Sequence, residues 1–117
     1  MSAVDFLDTN VLLYAYDGSN PRNQQVARGL LRQAVAGGAA ISTQVPAEFA
    51  SVLLHKMKPA AAPAQVRIAL DALQPIRTVM HDGPLIRRSV EVHARYGVRF
   101  YDAMIVAAAE KAACGRI

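Results

Sequence analysis

Three acidic residues stand at places in the sequence where a charge needs a partner or a chemical role. Asp8 follows the mostly apolar stretch "VDFL", Glu48 follows "AAIST" and a short "QVPA" segment, and Asp102 precedes "AMIVAAA", which has no polar side chain. Burying an unpaired charge in such surroundings is costly. Three carboxylates brought together also repel one another, and a hard divalent cation with oxygen ligands relieves that repulsion. The residue types therefore indicate metal-ion chemistry if the fold brings the three acids together.

Each acid also has an ordinary structural interpretation. Asp8 can cap a helix over "NVLLYAY", and Asp102 can cap the last helix. Glu48 can be a first-turn partner of a helix dipole. Their joint placement after successive strands favours a shared site over three separate structural roles. Asp5, inside the first strand, either faces that site or pairs with an arginine.

Apolar strands that alternate with helices are expected to position these acids. Strands are predicted at "AVDFL", "AAIST" and "IRTVM", and no two of them are joined by a hairpin turn. This pattern implies crossover connections and a mostly parallel sheet with helices on both faces. Sites in open parallel sheets gather beyond the carboxyl ends of the strands. Asp8, with Thr9 and Asn10 beside it, is expected at that edge together with Glu48 and Asp102.

The predicted helices have clear start and stop signals. Capping residues followed by proline begin two helices, and glycines end them. The segment "KPAAAPAQ" is interpreted as a breaker before a helix over "VRIALDALQ", and the last helix is predicted from Tyr101 to about Ala113, with Gly115 terminating it. The cap, proline and glycine positions are Ser19 or Asn20, Pro21 and Gly37-Gly38 for one helix, and Asp82, Pro84 and Gly97 for another.

The composition predicts one globular domain over residues 1–117. Of the 117 residues 53% are hydrophobic, and no apolar run reaches the length of about 18 residues that a membrane helix needs. The N-terminus lacks a secretory signal pattern and Cys114 is the only cysteine, so a cytoplasmic location is expected. The net charge of +4 is compatible with a polyanionic partner. Arg87-Arg88, Arg95 and Arg99 either contact phosphate or form a solvated face.

Other catalytic chemistries have less support. No serine stands in a nucleophile elbow, and there is no glycine-rich phosphate loop. His55, His81 and His93 are scattered without metal-ligand spacing, which leaves a nucleolytic histidine pair as an alternative. A phosphoacceptor signalling module would need a carboxylate after a middle strand and a lysine after a late strand, and neither is present.

The segments around the three acids resemble those of PIN-domain ribonucleases, and specifically of the VapC toxins of type II toxin–antitoxin pairs. The matching segments are "FLDTNVLLYAY", "ISTQVPAEFASVLLHK" and "RYGVRFYDAMIVAAAEKAACGRI", and they follow the order of that family. The resemblance implies a PIN-like α/β/α sandwich. It also implies that Asp8, Glu48 and Asp102 are acidic metal-site residues and that Thr9 and Asn10 hold Asp8 in place.

The same resemblance implies a function and partners. It implies an endoribonuclease that uses one or two Mg²⁺ or Mn²⁺ ions and a water nucleophile rather than the RNA 2′-hydroxyl. It further implies a homodimer that is neutralised by a cognate VapB-type antitoxin, with the apolar helices "NVLLYAY" and "GLLRQAV" as possible docking faces.

One departure from the family concerns the C-terminus. The family continues past the last helix with a strand and a further acidic residue, whereas this sequence stops at Ile117. The expectation is therefore a domain truncated at its C-terminus that lacks the last strand and the fourth acid. An alternative function follows, in which the protein is a non-catalytic RNA-binding or antitoxin-binding PIN-like subunit.

Overall fold

A computed structural model of the protein describes residues 4–112 and 114–116, with side chains from 5 to 112. At its centre is a four-stranded sheet in which every neighbouring pair of strands is parallel. The strands lie in the order β3-β2-β1-β4 and consist of β1 (Val4–Phe6), β2 (Ala39–Ser42), β3 (Arg77–Val79) and β4 (Cys114–Arg116). The predicted α/β fold with a mostly parallel sheet is confirmed.

Helical segments connect the strands, as parallel pairing requires. In the described part of the chain the α-helices are α1 (Thr9–Tyr16), α2 (Pro21–Gln33), α3 (Gln44–His55), α4 (Pro63–Asp71), α5 (Gly83–Tyr96) and α6 (Phe100–Lys111). A π-helical turn over Ala34–Gly38 follows α2, and Gly37 within it has a left-handed φ of 97°. That conformation favours glycine and ends the helix just before β2, as the glycine pair predicted.

Alternating strand residues divide the core into two halves, one on each face of the sheet. Ala39 and Ile41 of β2 pack with α1, α3 and α4, whereas Ala40 packs with α5 and α6 on the opposite face. Leu7 lies on the same face as Ala39 and Ile41, and Phe6 lies on the same face as Ala40. Because side chains alternate along a strand, one buried sheet holds helices on both sides. The result is the α/β/α sandwich that the resemblance implied.

The fourth strand corrects the expectation that the C-terminal strand is missing. β4 pairs with β1, with Cys114 opposite Val4 and Arg116 opposite Asp5. The central strand β1 is therefore paired on both sides. The segment "CGRI", which the sequence suggests is only the start of a fourth strand, already forms one at Cys114–Arg116.

The predicted caps of α2 and α5 are confirmed. Oδ1 of Asn20 accepts a hydrogen bond from the backbone N–H of Asn23 at 3.1 Å, and Oδ1 of Asp82 accepts one from Leu85 at 3.0 Å. Gly97 ends α5 in the left-handed region with a φ of 68°.

Two other helix boundaries differ from the prediction. α4 begins at Pro63, inside the predicted breaker, because proline is favourable in a first helical turn. There the side chain of Gln65 also accepts a hydrogen bond from the Ala62 N–H at 2.9 Å. α6 ends at Lys111, and Gly115, the predicted terminator, lies in β4. The predicted last helical residue, Ala113, lies outside the described residues.

Candidate active site

The three predicted acids lie in different local settings. Asp8 directly follows β1 and Glu48 lies on the helix after β2, whereas Asp102 lies at the start of α6, which follows α5. Asp8 caps α1, where its Oδ1 accepts a hydrogen bond from the Val11 N–H at 3.4 Å. Glu48 lies beyond the first turn of α3, so the first-turn dipole interpretation does not hold. Asp102 is in the first turn of α6 but does not cap it, since the N-cap position is Arg99. Only Asp8 has the ordinary capping role that its sequence position allows.

Glu48 is held by two hydrogen bonds, one to each carboxylate oxygen. The hydroxyl of the buried Thr9 donates to Oε2 at 2.8 Å, and Nε2 of Gln44 donates to Oε1 at 2.8 Å. Gln44 and Glu48 are four residues apart on one helix face, a spacing at which side chains meet. The start of α1 and the first turns of α3 are therefore joined at this carboxylate.

Gln44 also connects this pair of helices to α6. Its Nε2 lies 3.4 Å from the backbone oxygen of Tyr101, the residue before Asp102. A continuous set of contacts thus runs from Thr9 through Glu48 and Gln44 to Tyr101. Thr9 is adjacent to Asp8 in sequence and Tyr101 to Asp102, so the contacts bring the three acid-bearing segments to one edge of the sheet. We call this set of contacts the Thr9–Tyr101 bridge.

No lysine or arginine forms an ion pair with Asp8, Glu48 or Asp102 among the described side chains. The ion pairs found in that part of the chain join Arg88 to Glu91, Arg88 to Glu110 and Lys111 to Asp82. The Asp102 side chain, moreover, is exposed and has no hydrogen-bond partner within residues 5–112. The negative charge at this edge is therefore not balanced by a neighbouring basic side chain, as far as the structure describes it.

Buried polar atoms without partners are also found near this edge. Within the described residues they are Oγ of Ser42, Oε1 of Gln44 and Nε2 of His81. Ser42 ends β2, Gln44 begins α3 and His81 follows β3, so all three lie at or just beyond the carboxyl ends of neighbouring strands. Unsatisfied buried polar groups are uncommon in folded proteins, and a bound water, ion or ligand is a usual partner for them.

The donor atoms at this edge fit a hard cation in type. Asp8, Glu48 and Asp102 offer carboxylate oxygens, and the unpartnered Oε1 of Gln44 adds an amide oxygen. Their arrangement is not that of an assembled site. Among the described residues, no three or more histidine, cysteine, aspartate or glutamate side chains are grouped closely enough to hold a metal ion. The edge therefore carries ligand types that suit a hard cation, without an assembled metal site among the described residues.

Thr9 and Gln44 have roles that the sequence did not reveal. Thr9 was expected to hold Asp8, but its hydroxyl bonds to Glu48 instead, so it positions a different acid. Gln44 was not predicted to contribute, although its i,i+4 spacing from Glu48 was a usable signal. Asn10 is exposed, and its expected support of Asp8 stays a prediction. Asp5 is half-buried within β1.

Other residues considered for chemistry have structural roles. Glu110 and Glu91 engage Arg88 and raise the pKa of its guanidinium, and Arg88 lowers the pKa of Glu110 in turn. Nδ1 of His93 lies 2.6 Å from the backbone oxygen of Val98, and so braces the turn between α5 and α6. Nδ1 of His81 lies 3.2 Å from the Thr43 hydroxyl. These contacts engage Arg88 and one ring nitrogen each of His81 and His93, whereas Nε2 of His81 has no partner.

The sequence matches the PIN domain family over residues 6–117, nearly its whole length. The chain belongs to the PIN domain family. Proteins of this family generally have a nuclease fold, act on RNA and use divalent metal ions. No curated protein matches the chain significantly. In the part of the chain that the structure describes, no helix combines the length and apolar character needed to cross a membrane.

Proposed function

We propose that this protein is a metal-dependent endoribonuclease of the VapC toxin type. Asp8, Glu48 and Asp102 hold Mg²⁺ or Mn²⁺ at the carboxyl edge of the sheet. The observation that supports this most strongly is the Thr9–Tyr101 bridge, which connects the three acid-bearing segments through hydrogen bonds rather than through ion pairs. Family membership supports the nuclease class, and the bridge supports the particular residues.

The residues at this edge have two proposed roles, which are to hold the metal ion and to orient the side chains that hold it. The carboxylates of Asp8 and Asp102 are the more available ligands, because Asp8 uses one oxygen as a cap and Asp102 has no partner within residues 5–112. Glu48 is oriented by Thr9 and Gln44, which fix both of its oxygens. Thr9 and Gln44 are therefore positioning residues for Glu48. The proposed role of Asn10, which is to hold Asp8 in place, rests on the family resemblance alone.

A divalent cation held by Asp8, Glu48 and Asp102 would supply the positive charge that acidifies a water and stabilises negative charge on a phosphate. Water, rather than a side chain of the protein, is the nucleophile in this proposal. Cleavage by water places the phosphate on the 5′ end of one product and leaves a 3′-hydroxyl on the other. The net charge of +4 favours binding of the RNA backbone, which should weaken as salt concentration rises.

The toxin assignment includes a VapB-type antitoxin and a homodimer. An apolar groove of about 460 Å³ lies among α1, α2, α3 and α4, with Tyr16, Phe49 and Ile68 in its lining. Ile68 is 70% exposed although it is hydrophobic, so covering the groove would remove apolar surface from water. We assign this groove to the antitoxin segment. A cytoplasmic location, where such pairs act, is part of the same proposal.

The direct test is cleavage of RNA by the purified protein. A mixed single-stranded RNA substrate should be cut in the presence of Mg²⁺ or Mn²⁺, and the activity should disappear with EDTA and return when either ion is added in excess. Co-expression with the reading frame adjacent to the gene tests the antitoxin assignment, since a stable complex without activity is expected. RNA cleavage that persists in EDTA would contradict the metal-dependent mechanism.

A second function is favoured by one observation, the lack of a preassembled group of three metal-ligating side chains among the described residues. In that alternative the protein is a non-catalytic PIN-like subunit that binds RNA or an antitoxin. It would bind RNA without cutting it at any concentration of Mg²⁺ or Mn²⁺.

A further inference from the structure

A cleft between α1 and α3 opens beside the proposed metal site. Its volume is about 290 Å³, close to the lower end of the range of about 300–1,000 Å³ that is usual for small-ligand sites. Thr9 and Asn10 lie on its α1 wall. Its α3 wall consists of Glu48, Ser51 and Val52, which lie at helical spacing, and of Lys56, the residue that follows the last residue of α3. Thr9 and Glu48 therefore belong to both the site and the cleft.

The charges along the α3 wall are opposite at its two ends. Lys56 follows Glu48 by eight residues, which corresponds to about 12 Å along a helix axis at 1.5 Å per residue. Lys56 forms no ion pair with any described side chain. The ammonium group of Lys56 is therefore available to bind a phosphate of an RNA strand that lies in the cleft beside the proposed metal site.

A second cavity extends the cleft along the same two helices. Its volume is about 220 Å³, and it shares Asn10, Leu13 and Val52 with the first. Tyr14 lies on its wall and is 48% exposed. Asp17 lies there too, and its negative charge disfavours a phosphate in this outer part. Glu48 disfavours a phosphate at its own end of the inner part in the same way. The Lys56 end of the inner part therefore suits a phosphate, and the outer part suits an aromatic base.

We propose that the α1–α3 cleft binds the RNA nucleotide next to the scissile phosphodiester. Lys56 contacts its phosphate, and Tyr14 stacks on its base. Stacking on an aromatic side chain and a salt-dependent phosphate contact are the two usual elements of single-strand recognition. This inference rests on the proposed ribonuclease function, since it takes Glu48 as the reference point of the bound strand.

The test measures binding of a fluorescently labelled single-stranded RNA, in the Asp102→Asn background so that the strand is not cut. Lys56→Gln should weaken binding and reduce the slope of log Kd against log salt concentration by about 0.7, the value for one phosphate contact on a single strand. Tyr14→Ala should raise the Kd by roughly 5- to 150-fold, whereas Tyr14→Phe keeps the ring and should bind as the parent does.

Matched controls separate these effects from a general loss of charge or of aromatic surface. Lys58→Gln removes a lysine two residues beyond Lys56 and outside the lining of the cleft, and Tyr96→Ala removes an exposed tyrosine on α5. Neither control should change the Kd or the salt slope.

The possible failures are distinguishable. If the parent protein binds and cuts RNA but Lys56→Gln and Tyr14→Ala leave the Kd and salt slope unchanged, the cleft is not an RNA subsite and the ribonuclease function stands. If these variants alter self-association in light scattering and not RNA affinity, the cleft is a protein interface and the inference is wrong. If the parent binds no RNA, the proposed function fails and the inference fails with it.

Discussion

The hydroxyl of Thr9 donates a hydrogen bond of 2.8 Å to Oε2 of Glu48, a residue 39 positions away in the sequence. Thr9 is buried at the start of α1, directly after Asp8, whereas Glu48 is an exposed residue of α3. The bond therefore fixes the orientation of one acid relative to the segment that carries another. It joins the segment that follows β1 to the helix that follows β2, at the edge where the proposed site lies.

Thr9→Val should lower activity by about 10- to 100-fold, the usual cost of losing a hydrogen bond that orients a metal-ligating residue. Valine has nearly the shape of threonine, so the fold should be retained while Oε2 of Glu48 loses its donor. Thr9→Ser keeps the hydroxyl and should retain most of the activity. Steady-state cleavage with a magnesium titration checks this, and equal activity of the valine variant would mean that Thr9 does not position Glu48.

Asp8→Asn and Asp102→Asn should each abolish RNA cleavage without unfolding the protein. Asparagine remains a good helix cap, so Asp8→Asn can still accept the hydrogen bond from Val11. Removing one member of a group of carboxylates also reduces their repulsion when no metal is present, so the melting temperature should not fall. Asp71→Asn, at an exposed position on α4, is the matched control and should cut RNA normally. Cleavage at the parental rate by either site variant would contradict the assignment.

The cleavage products should carry 5′-phosphate and 3′-hydroxyl ends, because water rather than the RNA 2′-hydroxyl is the proposed nucleophile. Mass spectrometry of the fragments distinguishes these ends from a 2′,3′-cyclic phosphate. A substrate with a single 2′-deoxy sugar at the cleavage site should still be cut. A cyclic phosphate product would indicate a histidine-based mechanism instead.

Acid stability should depend on Asp82, which lies outside the proposed site. The Leu85 N–H and the Lys111 side chain lower the pKa of Asp82 from its ordinary value of 3.8. Its stabilising contribution is therefore complete above pH 3.8 and is lost as the pH falls through the lower pKa of the folded state. Asp82→Asn keeps a capping oxygen but loses the ion pair with Lys111.

Denaturant unfolding across an acid pH series checks this prediction. The Asp82→Asn variant should be less stable than the parent near neutral pH, and the difference should shrink below pH 3.8. Asp71→Asn again serves as the control on an exposed acid. A stability difference that is the same at every pH would show that the ionised form of Asp82 is not what stabilises the folded state.

The sequence predicted the main elements of the fold because their signals are local. The caps at Asn20 and Asp82 and the turn at Gly97 each depend on a few neighbouring residues, and each is present as predicted. The local signal for β4 is weaker, since "CGRI" suggests only the start of a strand and the pairing with β1 defines the strand at Cys114–Arg116. Pro63 was read as a breaker although it opens α4, since proline permits both roles.

The sequence predicts where the candidate site lies, but not which hydrogen bonds join its segments. Parallel strands indicate that Asp8, Glu48 and Asp102 share an edge, and the acid-bearing segments do meet there through the Thr9–Tyr101 bridge. Which side chain Thr9 would contact depends on how α1 packs against α3. That packing is a tertiary property. The sequence therefore predicts a contact between Thr9 and its neighbour Asp8, and it gives no direct indication that Thr9 and Gln44 both donate hydrogen bonds to Glu48.

Binding of Mn²⁺, followed by electron paramagnetic resonance, tests directly whether the three carboxylates hold a metal ion, and it does not depend on finding the RNA target. We predict that the parent protein and Asp71→Asn bind Mn²⁺ with the same affinity, that added Mg²⁺ displaces it, and that Asp8→Asn and Asp102→Asn bind it at least tenfold more weakly. Equal Mn²⁺ affinity in the parent and both site variants, or no specific binding by the parent, would contradict a metal site formed by Asp8, Glu48 and Asp102.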